Sequence, residues 1–362
     1  MSAVGKVDRF QRRHPVIGFP LAVIYKYFDD QGPYLAAIIS YYAFVAIFPL
    51  LLISTSVLGF FLDGDPALRD RLLTTALGQF PIVGDELGRP DGLTGSTSAI
   101  VVGSIAALYG SLGLGQASQN AANIAWSVPR NSRANPFLMR LRSLLFLAIA
   151  GIGILALAIA TSVLSNVEVV SGELRPALQW AVRLVAFVAT ALIFVMLFRL
   201  VSAGRATTRS VLPGALVSAV GWQALQYGGN TYVTEVIGRA GQMNQTFALV
   251  LGLLAFLFIA AVVAVLGLEV NVVLRRRLYP RALLTPFTDN VELTAADERA
   301  YTAYAKAQRH KGFQVIEARF EKHDEDERED EHGAATGVVD PAPTPTPEPA
   351  TARPPREVDP SH

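Results

Sequence analysis

The chain has 362 residues and a formal net charge of +1, and 17% of its residues are charged, where soluble domains average about 25%. It contains no cysteine, which excludes disulfides, thiolate metal ligands and a cysteine nucleophile. The near-zero total hides a segregation of charge into the stretches between long apolar runs, which is not the pattern of a nucleic-acid-binding surface.

Residues 1–33 form a basic leader carrying Lys6, Arg9, Arg12, Arg13 and Lys26. Within it, residues 15–27 predict a short interfacial helix, because Ile17, Leu21, Ile24 and Phe28 recur at helical spacing. No cleavable signal peptide is expected, since a long polar stretch precedes the first apolar segment and that segment is too long for a signal core.

A bundle is expected over residues 34–281. Six apolar segments, at 34–62, 98–118, 143–163, 180–198, 211–231 and 246–274, are each long enough to cross a hydrocarbon layer of roughly 30 Å, which takes about 20 helical residues. The flanking bases alternate. Arg130, Arg133, Arg140 and Arg142 follow the second segment, Arg199, Arg205 and Arg209 follow the fourth, and Arg275, Arg276, Arg277 and Arg281 follow the sixth. The remaining loops are poorer in base or mix it with acid, as in Asp63, Asp65, Asp70, Asp85, Glu86 and Asp91. Lysine and arginine resist translocation, so the reading is an all-α polytopic membrane protein with six transmembrane helices and both termini cytoplasmic, in the cytoplasmic membrane. Beyond it, residues 282–322 predict a cytoplasmic helical extension, with Thr294 and Asp297 as a capping pair, a helix to about residue 310, and Tyr301 and Tyr304 on one face. Residues 323–362 are acidic and then proline-rich, a composition expected to stay disordered.

Several residues inside the segments carry chemistry. Pro49 in the first segment removes a backbone hydrogen bond, leaving a packing kink and a hinge beside a solute path as alternatives. Tyr41 and Tyr42 precede it and need hydroxyl partners if buried. Gln116, Gln119, Asn120 and Asn123 fall on one helix face, either as an interhelical polar clamp or as the wall of a wet vestibule. The run from Gly110 to Gly115 has the glycines of a phosphate loop without its lysine or a preceding strand, so a close helix contact is the reading. Pro213 suits the first turn of the fifth helix, and Gln223, Gln226 and Asn230 then form a second polar stripe. Glu269, with Asn271 two positions on, is an ionisable group inside an apolar run and hence a candidate path residue or half of a salt bridge, for which Arg199, Arg205 and Arg209 are the candidate partners.

No enzyme signature emerges. The five histidines (His14, His310, His323, His332 and His362) lie outside the six segments, and Asp63 and Asp65 read as a turn after the first. No catalytic group, metal or cofactor is therefore expected, and the acidic run at 321–331 would repel RNA.

Four motifs in order carry a resemblance. They are Ser40-Tyr41-Tyr42-Ala43-Phe44 leading to Phe48-Pro49-Leu50-Leu51-Leu52, Asn120 to Trp126-Ser127-Val128-Pro129-Arg130, Leu212-Pro213-Gly214-Ala215, and Leu266-Gly267-Leu268-Glu269-Val270-Asn271. Over residues 34–278 the chain resembles the YihY/BrkB family of bacterial inner-membrane proteins, and Tyr301, Tyr304, Gln308 and Lys311-Gly312-Phe313 are similar to the extension of its YhjD-like members. It departs from them where relatives have a Tyr-Gly pair before the last span and a tryptophan within it; here stand Gly241 to Thr246 and Ala255-Phe256-Leu257. The resemblance implies a six-helix membrane protein with a transport or export association and an old ribonuclease label, which the absence of a basic groove and of a carboxylate cluster argues against. The expected partners are the lipid bilayer and a small or amphiphilic solute, with a non-transporting structural or assembly protein of the envelope as the alternative.

Overall fold

A computed structural model describes residues 3–61, 97–166, 175–202, 206–232, 235, 242–288 and 291–320. The elements are α1 (Ala3–Arg13), α2 (Pro15–Asp29), α3 (Gly32–Phe61), α4 (Thr97–Ala125), α5 (Pro136–Asn166), α6 (Arg175–Val201), α7 (Thr208–Tyr232), α8 (Gln242–Arg276) and α9 (Ala295–Ala307), with one 3₁₀ turn at Arg130–Ser132. No strand occurs among the described residues. The connection at 62–96, Asp63 and Asp65 with it, and the tail from 323 onward lie outside them.

The six apolar segments coincide with α3 to α8, and each helix is longer than its apolar run. Even α7, with 25 residues, extends about 37 Å at 1.5 Å per residue. By length and composition, Pro136–Leu157 in α5, Arg183–Val201 in α6 and Phe247–Arg276 in α8 are long and apolar enough to cross a membrane, and Gly32–Ile47 in α3 is a shorter apolar stretch. Their outward faces are hydrocarbon: Leu144, Ile152, Leu192, Met196, Leu254 and Phe258 are all exposed. Apolar surface on that scale has to meet something other than water.

Each of α3 to α8 packs on its successor, and α8 returns to pack on α3, so the six helices close a ring. Two of the helix ends have an unusual cap. Ser127 after α4 (φ 44°) and Arg277 after α8 (φ 54°) take the left-handed conformation. The next amides, of Val128 and Leu278, then reach back to the carbonyls of Asn123 (2.8 Å) and Val273 (3.0 Å). This is the Schellman arrangement, which satisfies end carbonyls and is usually built on glycine. The capping box predicted at Thr294 and Asp297 is present, and α9 stops at Ala307, one turn short of the expected residue 310.

The leader is part of the same packed unit. Pro15 occupies the first turn of α2, where its missing N–H is not needed. Of the stripe visible in the sequence, Ile17, Ile24 and Phe28 are exposed and Leu21 is half-buried, whereas the opposite face buries Ala22, Val23 and Tyr27 against the main core and α8. The segment after α8 is knitted to the leader by polar bonds: Gln11 Nε2 donates to the Arg281 carbonyl (2.6 Å) and the Leu283 amide donates to Asp8 Oδ1 (2.8 Å).

Candidate functional site

Two regions of the bundle have the features of a site. The first is a cavity of about 250 Å³ at the centre of the ring, lined by residues of all six long helices, among them Ala43, Leu114, Phe146, Phe194, Trp222 and Ala261. Among the described residues that line it, the polar side chains are Ser118, Thr190 and the Trp222 indole. The two hydroxyls donate to carbonyls of their own helices, Leu114 and Ala186, at 2.8 Å each, so they offer little to a ligand. The wall is therefore hydrocarbon, suited to a chain or ring and hostile to an unpaired ion.

The second region is the basic end of the bundle, where α2, α8 and α9 meet. Glu269 is fully buried, and its cationic partner is Lys26 of α2, at 3.5 Å. Of the expected cations, Arg199 and Arg209 make no ion pair with it among the described residues, and Arg205 lies outside them; the ion pair comes instead from the leader, because α2 packs directly on α8. Lys26, also buried, donates to Asp30 one turn along its own helix in a very short contact. Its ammonium lies 5.0 Å from the centre of the Tyr304 ring, which covers the cluster from α9.

Beside this cluster sits a second ion set with a different character. Arg281, buried, places Nε 2.5 Å from Asp297 and Nη1 2.9 Å from Asp29. Burial disfavours its charge, yet the two carboxylates outweigh that and hold the guanidinium above the ordinary arginine value. Asp297 also accepts from the Ala282 amide (3.0 Å) and the Thr294 amide (2.9 Å). Every lone pair that matters is met, as a structural buried pair requires. The Tyr304 hydroxyl is pushed far above its usual range, first by burial and then by Asp30 and Asp29, so it stays a protonated phenol.

Asn271 and Pro213 meet at the α7–α8 seam. Pro213 lies inside α7, in its second turn rather than its first, so its ring disturbs the backbone ladder there. The next amide, Gly214 N–H, donates to the buried Asn271 Oδ1 at 2.7 Å. A Cβ on Gly214 would sit 1.9 Å from the Gly267 carbonyl oxygen, and one on Gly267 would sit 2.0 Å from Ser218 Oγ. Small residues on both helices thus allow backbone contact across the seam.

The other expected residues separate. On α4, Gln119 bridges to α5 through the Met139 carbonyl (2.9 Å) and Ser143 Oγ (3.1 Å), and Asn120 accepts from Arg133 (3.3 Å). Asn123 is buried and Gln116 is partly buried. That part of the stripe is a clamp between helices. Tyr42 packs over Gly113, where a Cβ would fall 2.2 Å from the ring, while Tyr41 stacks edge-on to Tyr42 and is exposed. Close helix contact is thus the role of the Gly110 to Gly115 run, with Gly115 meeting Ser143 in the same way. Gln223 is exposed and Gln226 half-buried. Helix α3 continues through Pro49, but the side-chain surroundings of Pro49 and Asn230 lie outside the described residues. The sequence reading missed the buried ion-pair roles of Lys26, Asp30 and Asp297, the first two signalled only by their acid–base spacing in the leader and the third read only as a cap.

No curated protein and no solved structure matches the chain. The model of the family described as virulence factor BrkB matches residues 23–290, which spans α3 to α8 and takes in Lys26, Asp30, Asn271, Glu269 and Arg281. Together with the apolar helices, this identifies a membrane protein, and the chain belongs to the BrkB virulence factor family.

Proposed function

We propose that this protein is a six-span transporter or exporter of the cytoplasmic membrane, with both termini cytoplasmic, and that it carries a small amphiphilic, lipid-like solute rather than an ion or a sugar. It acts by binding and releasing that solute, with no catalytic step, cofactor or nucleic acid. The observation that carries the reading is the cavity of about 250 Å³ with a hydrocarbon wall at the centre of the helix ring. A dry apolar cavity of about 150 Å³ already takes a benzene-sized guest, so this one accommodates a segment of acyl chain or a compact ring. The polar headgroup of an amphiphile would remain at the edge of the bundle, where amides and charged groups lie.

A second reading, a non-transporting envelope assembly protein, is supported by a separate observation. Gln119, Asn120 and Asn271 are bound to neighbouring helices or their connecting loops and are not left facing a path. The two are distinguished by filling the cavity. Ala261 lines it and is buried, so Ala261→Trp places an indole in the space. In proteoliposomes, the wild type should bind a fluorescent fatty acid and move a short-chain lipid across the bilayer, and folded Ala261→Trp should lose both by tenfold or more, about 1.4 kcal/mol or above. Equal binding and flux by a correctly folded variant would remove the cavity from the mechanism, and the absence of any flux in the wild type would favour the assembly role.

A further inference from the structure

We infer that Lys26, Asp30 and Glu269 form a proton-binding site between α2 and α8, holding one exchangeable proton that the carboxyl pair shares. The inference goes beyond the transport reading and does not depend on it.

The argument begins with charge. The three side chains are almost wholly shielded from solvent, with exposures of 1%, 2% and 0% for Lys26, Asp30 and Glu269. Fully ionised, two carboxylates and one ammonium leave an uncompensated negative charge in a medium that cannot solvate it, which costs several kcal/mol or more. A single proton on the carboxyl pair removes that charge. The proton comes from hydronium or a buffer acid, and an O–H bond forms on a carboxylate oxygen while nothing is oxidised.

The hydrogen-bond inventory points to the same place. Lys26 gives its short hydrogen bond to Asp30, and its 3.5 Å approach to Glu269 is an ion-pair distance without the alignment of a hydrogen bond. Both carboxyl oxygens of Glu269 are buried, and neither accepts a hydrogen bond from a described residue. Asp297, equally buried a short way off, is the control within the same molecule, since it accepts from Arg281, Ala282 and Thr294. A purely structural carboxylate here is fully bonded. Glu269 is not, and an unbonded buried carboxylate is where a proton is most needed.

The charges felt at Glu269 are those of Lys26 and Asp30. From α8, Arg276 feels Asp30 at a distance, but it makes no ion pair with Asp30 or Glu269 among the described residues, its guanidinium being turned to the Trp126 carbonyl at 2.5 Å. Arg281 is held by Asp29 and Asp297, and Tyr304 contributes a neutral phenol whose buried hydroxyl has no partner among the described residues. The site also joins two walls of the central cavity: α2 runs through the left-handed Gln31 into α3, which contributes Ile39 and Ala43, and Leu268 next to Glu269 lines the cavity from α8.

The test counts protons by infrared difference spectroscopy on the full-length protein in lipid nanodiscs, following the carbonyl stretch of a protonated carboxylic acid as pH is changed. No solute is needed, so failure here says nothing about the cavity. The expected result is one solvent-shielded protonated carboxyl near neutral pH in the wild type, its complete loss in both Glu269→Gln and Asp30→Asn, and a doubling in Lys26→Met, where two acids remain without a cation. Arg276→Gln should leave the count unchanged. Absence of the band in the wild type would overturn the proposal, because it would mean that Arg276 supplies the missing charge. Persistence of the band in both neutralised variants would overturn it as well. Should the lysine variant fail to fold, the wild type and the two isosteric variants still decide the matter.

Discussion

Gly214→Ala perturbs the α7–α8 seam with a single methyl. The new Cβ would stand 1.9 Å from the Gly267 carbonyl oxygen, and 2.5 Å from the Asn271 amide nitrogen, where ordinary contacts begin at 3.4 Å. The backbone carbonyl cannot rotate aside as a side chain would, so the helices must part by more than about 1 Å locally, at an overpacking cost of about 1–3 kcal/mol. Separation also lengthens the 2.7 Å bond between Gly214 N–H and Asn271 Oδ1. A typical interhelical bond in a membrane protein contributes only about 0.6 kcal/mol, but an amide left unpaired beside Pro213 costs about 1–3 kcal/mol. The expected loss is therefore about 2–6 kcal/mol, read from unfolding of the purified protein in mixed micelles with increasing SDS. Gly228 of the same helix supplies the control, because a Cβ there meets nothing within 4 Å. Gly228→Ala should be neutral or stabilising by up to about 1 kcal/mol through helix propensity. If the two variants unfold within about 0.5 kcal/mol of each other, the seam is not packed as described and the reasoning from glycine contacts fails.

Arg281→Met leaves the buried Asp297 and its neighbour Asp29 without their cation, so it should destabilise the α2–α9 junction by about 3–5 kcal/mol; limited proteolysis after α8 should accelerate, and an unchanged cleavage rate would contradict the assignment. Gln119→Leu removes the bridge to Met139 and Ser143, and should cost about 1–2 kcal/mol in the same unfolding assay without altering solute binding, since the residue is not among those lining the cavity; lost binding at unchanged stability would return Gln119 to the path. The chain has no cysteine, so single cysteines at Arg133, Arg205 and Leu87 can map orientation directly. An impermeant maleimide applied to intact cells should label Leu87→Cys and spare Arg133→Cys and Arg205→Cys, and a single reversal would break the six-span orientation.

What could be read from the sequence, and what could not, follows from the range over which each signal acts. The helices α3 to α8 were legible because apolar length is a local property, and the Thr294–Asp297 cap because both partners lie within one turn. The polar face of α4 was legible as a face, since spacing sets direction around a helix; that it points at Met139 and Ser143 depends on which helix lies beside it. The ends of α4 and α8 were not legible, because Ser127 and Arg277 occupy left-handed positions where glycine would have been the signal. Glu269 illustrates the limit best. Its position in an apolar run marked it, but its partner was sought among the arginines that follow the fourth segment, when the cation that reaches it is Lys26 in a leader read as a basic interfacial helix. The hydrophobic stripe Ile17, Ile24 and Phe28 reinforced that reading by drawing attention to the exposed face of α2. An apolar helix with a lysine and an aspartate at i and i+4 on its other face is a solvated pair if that face is open and a buried site if another helix covers it. The covering helix, α8, lies far along the chain, and no local pattern encodes it. The same holds for the cavity, whose lining residues are of the types that fill an ordinary core: what makes it a cavity is that the ring of six helices closes through α3 and α8 around more space than those side chains occupy.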